Sequence, residues 1–89
     1  MVKIIVKYML WIRDKTGVDR EEFILEDGSI LKDLLEKLME KYSGLAKYLE
    51  NPMDTENPLI ILVNSRRVGF EYVFKDGDEV LLMPPVSGG

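Results

Sequence analysis

The stretch ILKDLLEKLMEKY, residues 30–42, has the clearest periodicity in the chain. Its apolar residues recur every three or four positions, which is the spacing of one face of an α-helix. They are Ile30, Leu31, Leu34, Leu35, Leu38, Met39 and Tyr42. Charged residues occupy the intervening positions, so the sequence predicts an amphipathic helix with a single buried face. Ser29 is the predicted N-cap, and Ser43 and Gly44 end the helix.

Strand patterns lie on both sides of this helix. Val2, Ile4, Val6 and Tyr8 alternate with the residues between them and are assigned to the core side. The predicted strands are residues 2–9, 21–27, 59–63, 66–68 and 79–83, with a reversal near Gly17, a helical turn at residues 45–49, a surface loop at residues 49–58 and a turn at Asn64 and Ser65. This order predicts an α+β domain of the β-grasp class, a mixed sheet of four to five strands crossed by one main helix.

The composition limits the chemistry that the domain can perform. The 89 residues contain neither Cys nor His and carry a net charge of -4. Cysteine nucleophiles, histidine bases and most transition-metal sites are therefore excluded. The absence of Cys is typical of a cytoplasmic protein, and no apolar run reaches the roughly 18 residues of a membrane span. We expect no direct binding of nucleic acid, because the net charge is negative.

Two polar clusters are weak candidate sites. Asp76 and Asp78 could be imagined as metal ligands, but a glycine between two aspartates is typical of a tight turn, so no metal site is predicted. Arg66 and Arg67 could hold an anion such as a partner carboxylate, although paired arginines in a turn are more often simply solvated.

The last strand, EVLLM, is apolar on both of its faces. Val80 and Leu82 point to one side of the sheet while Leu81 and Met83 point to the other, and a single helix can cover only one side. A partner protein is therefore predicted to dock on the uncovered side. The alternative is that the loop at residues 49–58 folds over it.

The chain ends on PPVSGG, residues 84–89, directly after this strand. We predict a β-grasp domain over residues 1–83 and a flexible functional tail over residues 84–89, because a stiff Pro-Pro exit and a narrow Gly-Gly end suit a tail that threads into a partner. Met9 lies on the uncovered side if the first and last strands are neighbours. The predicted partner contacts are Met83, Leu81, Met9, Pro84, Pro85, Val86 and Ser87.

Two segments carry a family resemblance. FKDGDEVLLMPPVSGG, residues 74–89, resembles the C-terminal signature of the MoaD-like small subunits of molybdopterin synthase, a branch of the ubiquitin-like sulfur carriers. WIRDKTG, residues 11–17, is similar to the segment that follows the first strand in that family. The resemblance implies a ubiquitin-like β-grasp fold. Arg67 stands where an apolar interface residue is expected, so it joins the predicted contacts, and the loop at residues 49–58 is longer than expected of bacterial relatives.

The resemblance also implies a function carried by Gly88 and Gly89. An adenylating enzyme of the ubiquitin-activating type would use ATP to activate the Gly89 carboxylate, and a sulfur donor would convert it to a thiocarboxylate. The tail would then enter the large subunit of the synthase, where the sulfur passes to a cyclic pyranopterin precursor of the molybdenum or tungsten cofactor. On this interpretation the domain has no catalytic site of its own and binds no cofactor tightly.

Other functions stay open on the sequence alone. The same tail would serve a sulfur carrier for tRNA thiolation, or an archaeal protein modifier conjugated to lysines through Gly89. A third hypothesis is a non-catalytic adaptor whose sheet binds a partner and whose tail is inert.

Overall fold

The computed structural model describes residues 1–56 and 58–85. Its elements are β1 (Val2–Tyr8), α1 (Trp11–Thr16), β2 (Arg20–Leu25), α2 (Leu31–Lys41), a 3-10 turn (Ser43–Leu45), α3 (Ala46–Leu49), β3 (Ile60–Val63) and β4 (Glu79–Met83). The strand order is β2-β1-β4-β3, with β1 and β4 parallel and the other pairs antiparallel. This mixed sheet with one main helix confirms the predicted α+β β-grasp class. In the described part of the chain, no helix has the length and apolar character needed to cross a membrane.

The inner face of the sheet, which packs on α2, forms the core. All four predicted core residues of β1 are buried, and Val80 and Leu82 of β4 are fully buried beside them. From α2, the buried residues are Leu31, Leu34, Leu35 and Leu38. The alternation of the strands and the spacing of the helix therefore identified the two surfaces that meet.

The start of α2 differs from the prediction. Ile30 has an extended backbone and forms a bridge with Val73, so it precedes the helix instead of lying on its apolar face. Its N–H donates to Oδ2 of Asp33 at 2.8 Å, which satisfies one of the free groups at the helix end. The prediction of Ser29 as N-cap was wrong, because the N-cap of α2 is Ile30, one residue later.

The short helix α1 was not predicted. It occupies the region where the sequence indicated only a reversal, and it ends at Gly17 with a left-handed φ of 80°. Six residues are too few to show a helical period, and such a short helix depends on packing for its stability. Trp11 supplies part of that packing through its ring, whose centroid lies 5.0 Å from that of Tyr48 on α3.

The predicted strand at residues 66–68 was wrong. Arg66 forms one isolated bridge with Val63, and the chain then leaves β3. The turn itself is as predicted: Asn64 and Ser65 have φ of 51° and 67°, the left-handed pair of a two-residue hairpin. The sheet in the described part of the chain therefore has four strands.

The strand that follows the long loop is less buried than predicted. The sequence LIILV indicated a buried strand over residues 59–63, but β3 begins at Ile60 and its first three residues are only half-buried. The cause is the position of β3 at the edge of the sheet, which sequence periodicity does not reveal. This difference enlarges the candidate site.

Candidate partner-binding face and tail exit

The side of the sheet opposite α2, here called the outer face, carries apolar side chains on three neighbouring strands. Leu81 and Met83 of β4 lie directly opposite Leu62 and Ile60 of β3, and Ile5 of β1 points to the same side. All five side chains are half-buried, although the inner-face residues of β4 are fully buried. We call these five residues the apolar patch. Its position confirms the predicted division of β4 into a covered and an uncovered face.

The apolar patch contains two residues that the sequence analysis missed. Ile60 and Leu62 were assigned to a buried strand, and only the register of β3 against β4 places them beside Met83 and Leu81. A strand that is apolar at every position gives no signal for which face is open.

Met9 and the long loop flank the apolar patch in different ways. Met9 lies just beyond β1, is 42% exposed, and donates its N–H to the carbonyl of Leu82 at 3.0 Å. It therefore sits beside the end of β4, and its role as a partner contact stays a prediction. From the loop, Pro52 and Met53 line a cavity together with Leu31 of α2. The loop thus packs along the edge of β3 towards the helix, and the side chains of the patch stay partly exposed.

Charged residues occupy the other half of the outer face. Lys7 of β1 pairs with Glu79 of β4 at 2.8 Å, and Lys3 of β1 pairs with Glu22 of β2 at 3.6 Å. The hydrogen bond and charge of Lys7 hold the pKa of Glu79 below its usual value. The outer face is therefore mainly charged towards β2, where Ile24 is the exposed apolar exception, and apolar towards β3.

The tail leaves the sheet at the apolar end of the outer face. Pro84 is buried and Pro85 is exposed immediately after β4. The predicted site residues Val86, Ser87, Gly88 and Gly89 lie outside the described residues. Since Met83 pairs with Ile60 at the last position of β4, the tail exit adjoins the apolar patch.

Arg67 lies at the edge of the same region. Its side chain is exposed and lines a cavity of about 210 Å³ beside β3. Ile60 lines that cavity as well as belonging to the apolar patch. The structure therefore places Arg67 next to the predicted contacts, although its role as a contact stays a prediction.

The sequence of this sheet and its C-terminal end matches a known protein family. The profile of the ThiS family matches residues 6–89. The chain belongs to the ThiS family.

Relatives of this ThiS-family chain confirm the resemblance to molybdopterin synthase small subunits. The molybdopterin synthase sulfur carrier subunit of Chlamydomonas reinhardtii is 30% identical over 99% of this chain and 100% of that protein. Small archaeal modifier protein 3 of Haloferax volcanii is 28% identical over 94% of this chain and 96% of that protein.

Solved structures agree in fold. The Pyrococcus furiosus protein assigned as molybdopterin converting factor subunit 1 matches with a TM-score of 0.83 and 34% identity, covering 97% of this chain and 100% of that chain. A complex of subunits 1 and 2 of the molybdopterin-converting factor from Helicobacter pylori matches with a TM-score of 0.68 and 26% identity, covering 99% of this chain and 100% of that chain.

In this ThiS-family chain a buried carboxylate anchors the strand that leads to the tail. Asp78, 5% exposed, accepts hydrogen bonds from Nδ2 of Asn64, the hydroxyl of Tyr72 and the N–H of Lys75, each at 2.8 Å. Burial alone would raise the pKa of Asp78, but these donors outweigh it and hold the pKa below its usual value. The network ties the turn after β3 to the turn before β4 and so holds the start of β4 in register with β3.

The other aspartate of the DGD turn also has a structural partner. Oδ1 of Asp76 accepts the N–H of Lys3 at 2.8 Å. Among residues 1–56 and 58–85, no group of three or more potential metal-ligating side chains is close enough to hold an ion. Both aspartates therefore serve the turn geometry in this structure.

A second polar network lies on the inner side of the sheet and was missed in the sequence. Glu21 of β2 accepts hydrogen bonds from the hydroxyls of Tyr8 and Tyr42, at 2.8 and 2.7 Å, and from Nζ of Lys41. Burial raises the pKa of Tyr8, and its hydrogen bond to the Glu21 carboxylate raises it further. The members come from separate elements, so no local motif connects them. The network ties the end of α2 to the inner face of β1 and β2.

Proposed function

We propose that this chain is the sulfur carrier subunit of a molybdopterin synthase. The observation that carries the proposal is the apolar patch, which ends where a chain terminating in Gly-Gly leaves the sheet. The identity with the Chlamydomonas reinhardtii carrier over nearly the whole of both chains supports it.

In the first step, the Gly89 carboxylate is activated by a separate adenylating enzyme. The carboxylate oxygen attacks the α-phosphorus of ATP, pyrophosphate leaves, and an acyl-adenylate forms. A sulfur donor at the oxidation level of sulfide then displaces AMP, which leaves a C-terminal thiocarboxylate. Adenylation is needed because a free carboxylate has a poor leaving group, and the resulting thiocarboxylate is nucleophilic at neutral pH.

In the second step, the large subunit of the synthase docks on the apolar patch and receives the tail. The Helicobacter pylori relative forms a complex between subunits 1 and 2, which supports a two-protein assembly. The thiocarboxylate sulfur attacks an electrophilic carbon of the cyclic pyranopterin precursor and displaces an oxygen substituent from it. Water then cleaves the acyl–sulfur bond, which leaves the sulfur on the pterin and returns the carboxylate. Gly88 and Gly89 suit this role because a backbone without side chains passes a narrow channel and adopts conformations that a Cβ forbids.

On this proposal the carrier contributes the sulfur and the docking surface, and its partners contribute the active sites. The two prolines before the glycines limit the conformations that the tail loses when it enters a partner. We place the reaction in the cytoplasm, where ATP and the partner enzymes would be available.

The test is the intact mass of the protein after incubation with its activating enzyme, ATP and a sulfide source. We expect a gain equal to the replacement of one oxygen by one sulfur, located at Gly89 by fragmentation. A chain truncated before Gly88 is the matched control and should not change. If the mass of the full chain stays constant while ATP is consumed, the carrier function is wrong.

A second candidate function is supported by the similarity to small archaeal modifier protein 3. In that case the activated Gly89 would be joined to lysine amines of other proteins. Incubation with the activating enzyme and a lysate would then yield isopeptide-linked products, and the large subunit would not bind. An unchanged mass and no linked products would instead favour an adaptor with an inert tail.

A further inference from the structure

The hairpin after β3 opens after a single pair of residues. Val63 and Arg66 exchange two backbone hydrogen bonds, of 2.8 and 3.0 Å. A regular hairpin would next pair Ile61 with Val68, but no bond joins them. The opening contains the cavity of about 210 Å³ described above, which we call the edge groove.

The edge groove is lined mainly by apolar side chains. Leu59 and Leu31 are buried beside it, and Met53 and Phe70 are 75% and 46% exposed at its rim. Large apolar side chains exposed around a groove favour the binding of another apolar group.

One residue of β3 also presents unpaired backbone to this edge. Asn64 donates its N–H to the carbonyl of Glu79 in β4, whereas Val63 donates its N–H to Arg66 on the opposite side. Backbone groups alternate in direction along a strand, so Ile61, two residues before Val63, also points its N–H and C=O away from β4. Neither group of Ile61 has a hydrogen-bond partner in the part of the chain that the structure describes. An extended segment lying in the groove could pair with both.

Arg67 adds a charge preference to the rim of the groove. None of the ion pairs among the described residues includes it. A guanidinium beside an apolar groove pairs well with a carboxylate, which it can bind through two parallel hydrogen bonds. The groove therefore suits an acidic segment more than a basic one.

The edge groove is continuous with the apolar patch. Ile60 lines the groove and lies opposite Met83 in the patch, so one partner can cover both. We propose that an extended segment of the large subunit occupies the edge groove. Its backbone pairs with Ile61, an apolar side chain fills the cavity, and a carboxylate binds Arg67. The identity of this partner rests on the proposed function.

The first test compares two adjacent arginines by calorimetry with the large subunit from the same organism. Arg67→Glu should weaken binding by about tenfold or more, since a like charge would face the carboxylate. Arg66→Glu is the matched control, because Arg66 does not line the groove, and should stay within about twofold of wild type. Circular dichroism should show both variants folded.

The second test measures amide hydrogen exchange in the wild-type complex. The Ile61 amide should exchange at least about tenfold more slowly in the complex than in the free carrier, as for a newly paired strand amide. The Leu62 amide should change little, because Leu62 is already in a hydrogen-bonded pair with Leu81 of β4.

The two tests distinguish an error in the proposed function from an error in the occupant of the edge groove. If wild type does not bind the large subunit, the proposed function is wrong and the occupant of the groove with it. If wild type binds but the two arginine variants behave alike, or Ile61 gains no protection, the function stands and the groove assignment is wrong.

Discussion

The two faces of β4 have similar side chains and opposite surroundings. Val80 and Leu82 are 0% exposed under α2, whereas Leu81 and Met83 stay half-buried on the opposite face. Apolar composition is the same on both sides, so composition alone does not separate core from interface. The difference lies in what packs against each face. A strand that is apolar on both faces of a sheet with its main helix on one side therefore indicates a partner.

The largest effect on stability should come from the covered face. Leu82→Ala removes a fully buried side chain and leaves a cavity, so the free energy of unfolding should fall by about 2–5 kcal/mol. Denaturant unfolding followed by circular dichroism measures this. A loss below about 1 kcal/mol would mean that Leu82 is not core, and the contrast between the faces would disappear.

The second largest effect on stability is expected at Asp78. Its hydrogen bonds hold β4 in the register that places Val80 and Leu82 on the covered face. A slip of one residue in β4 would exchange the two faces. The pKa of Asp78 is lowered in the folded state. Its contribution to stability is therefore present above the pKa of the unfolded chain and is lost as the pH falls towards the folded value.

Asp78→Asn should lower the free energy of unfolding by about 1–3 kcal/mol at neutral pH. The three donors that contact the carboxylate would share a single amide oxygen, and the amide NH2 would replace the other acceptor. The substitution should also flatten the decline of stability in acid. Asp76→Asn, in the same turn but exposed, is the control and should cost less stability at neutral pH, because Asp76 accepts one hydrogen bond where Asp78 accepts three. Equal pH profiles for Asp78→Asn and wild type would contradict the assigned role.

A smaller effect on stability is expected on the uncovered face. Met83→Asp should change the free energy of unfolding by less than about 1 kcal/mol, since the side chain is half-buried. Binding to the large subunit should weaken by a few kcal/mol, roughly the loss for a central interface residue. Calorimetry measures the binding affinity, and thermal melting measures the stability of the variant.

Ile24→Asp is the matched control for Met83→Asp. Ile24 lies on the outer face of β2, far from the tail exit, and is 57% exposed. It should leave binding unchanged. If Met83→Asp unfolds the domain, Met83 belongs to the core and the division of β4 is inverted.

The sequence predicted the features that depend on regular alternation. The helical spacing from Leu31 to Leu38 identified the buried side of α2, and the alternation of Val80 to Met83 identified both faces of β4. These patterns are local, and each repeats often enough to be recognised.

What the sequence did not predict depends on contacts between distant segments. The open side of β3 follows from its position at the edge of the sheet. Strand pairing in the hairpin stops after Arg66 because residues 67–70 run towards α2, where the Lys32 N–H donates to the carbonyl of Phe70 at 3.0 Å. Glu21 meets two tyrosines and a lysine only after β1, β2 and α2 are packed. A single sequence carries no local signal for contacts between residues that are far apart along the chain.

The smallest effect on stability, combined with a complete loss of function, is expected in the tail. Gly88 lies beyond β4 and both prolines, so Gly88→Val should leave the free energy of unfolding within about 0.5 kcal/mol of wild type. A branched Cβ restricts the backbone and widens the tail, which should block its entry into both partner active sites. Adenylation, thiocarboxylate formation and pterin conversion should all be lost at an unchanged melting temperature. Full pterin conversion by the variant would show that the tail does not pass through a close-fitting channel. The difference in stability between Gly88→Val and Leu82→Ala would then show only that Gly88 lies outside the core, and it would give the tail no function.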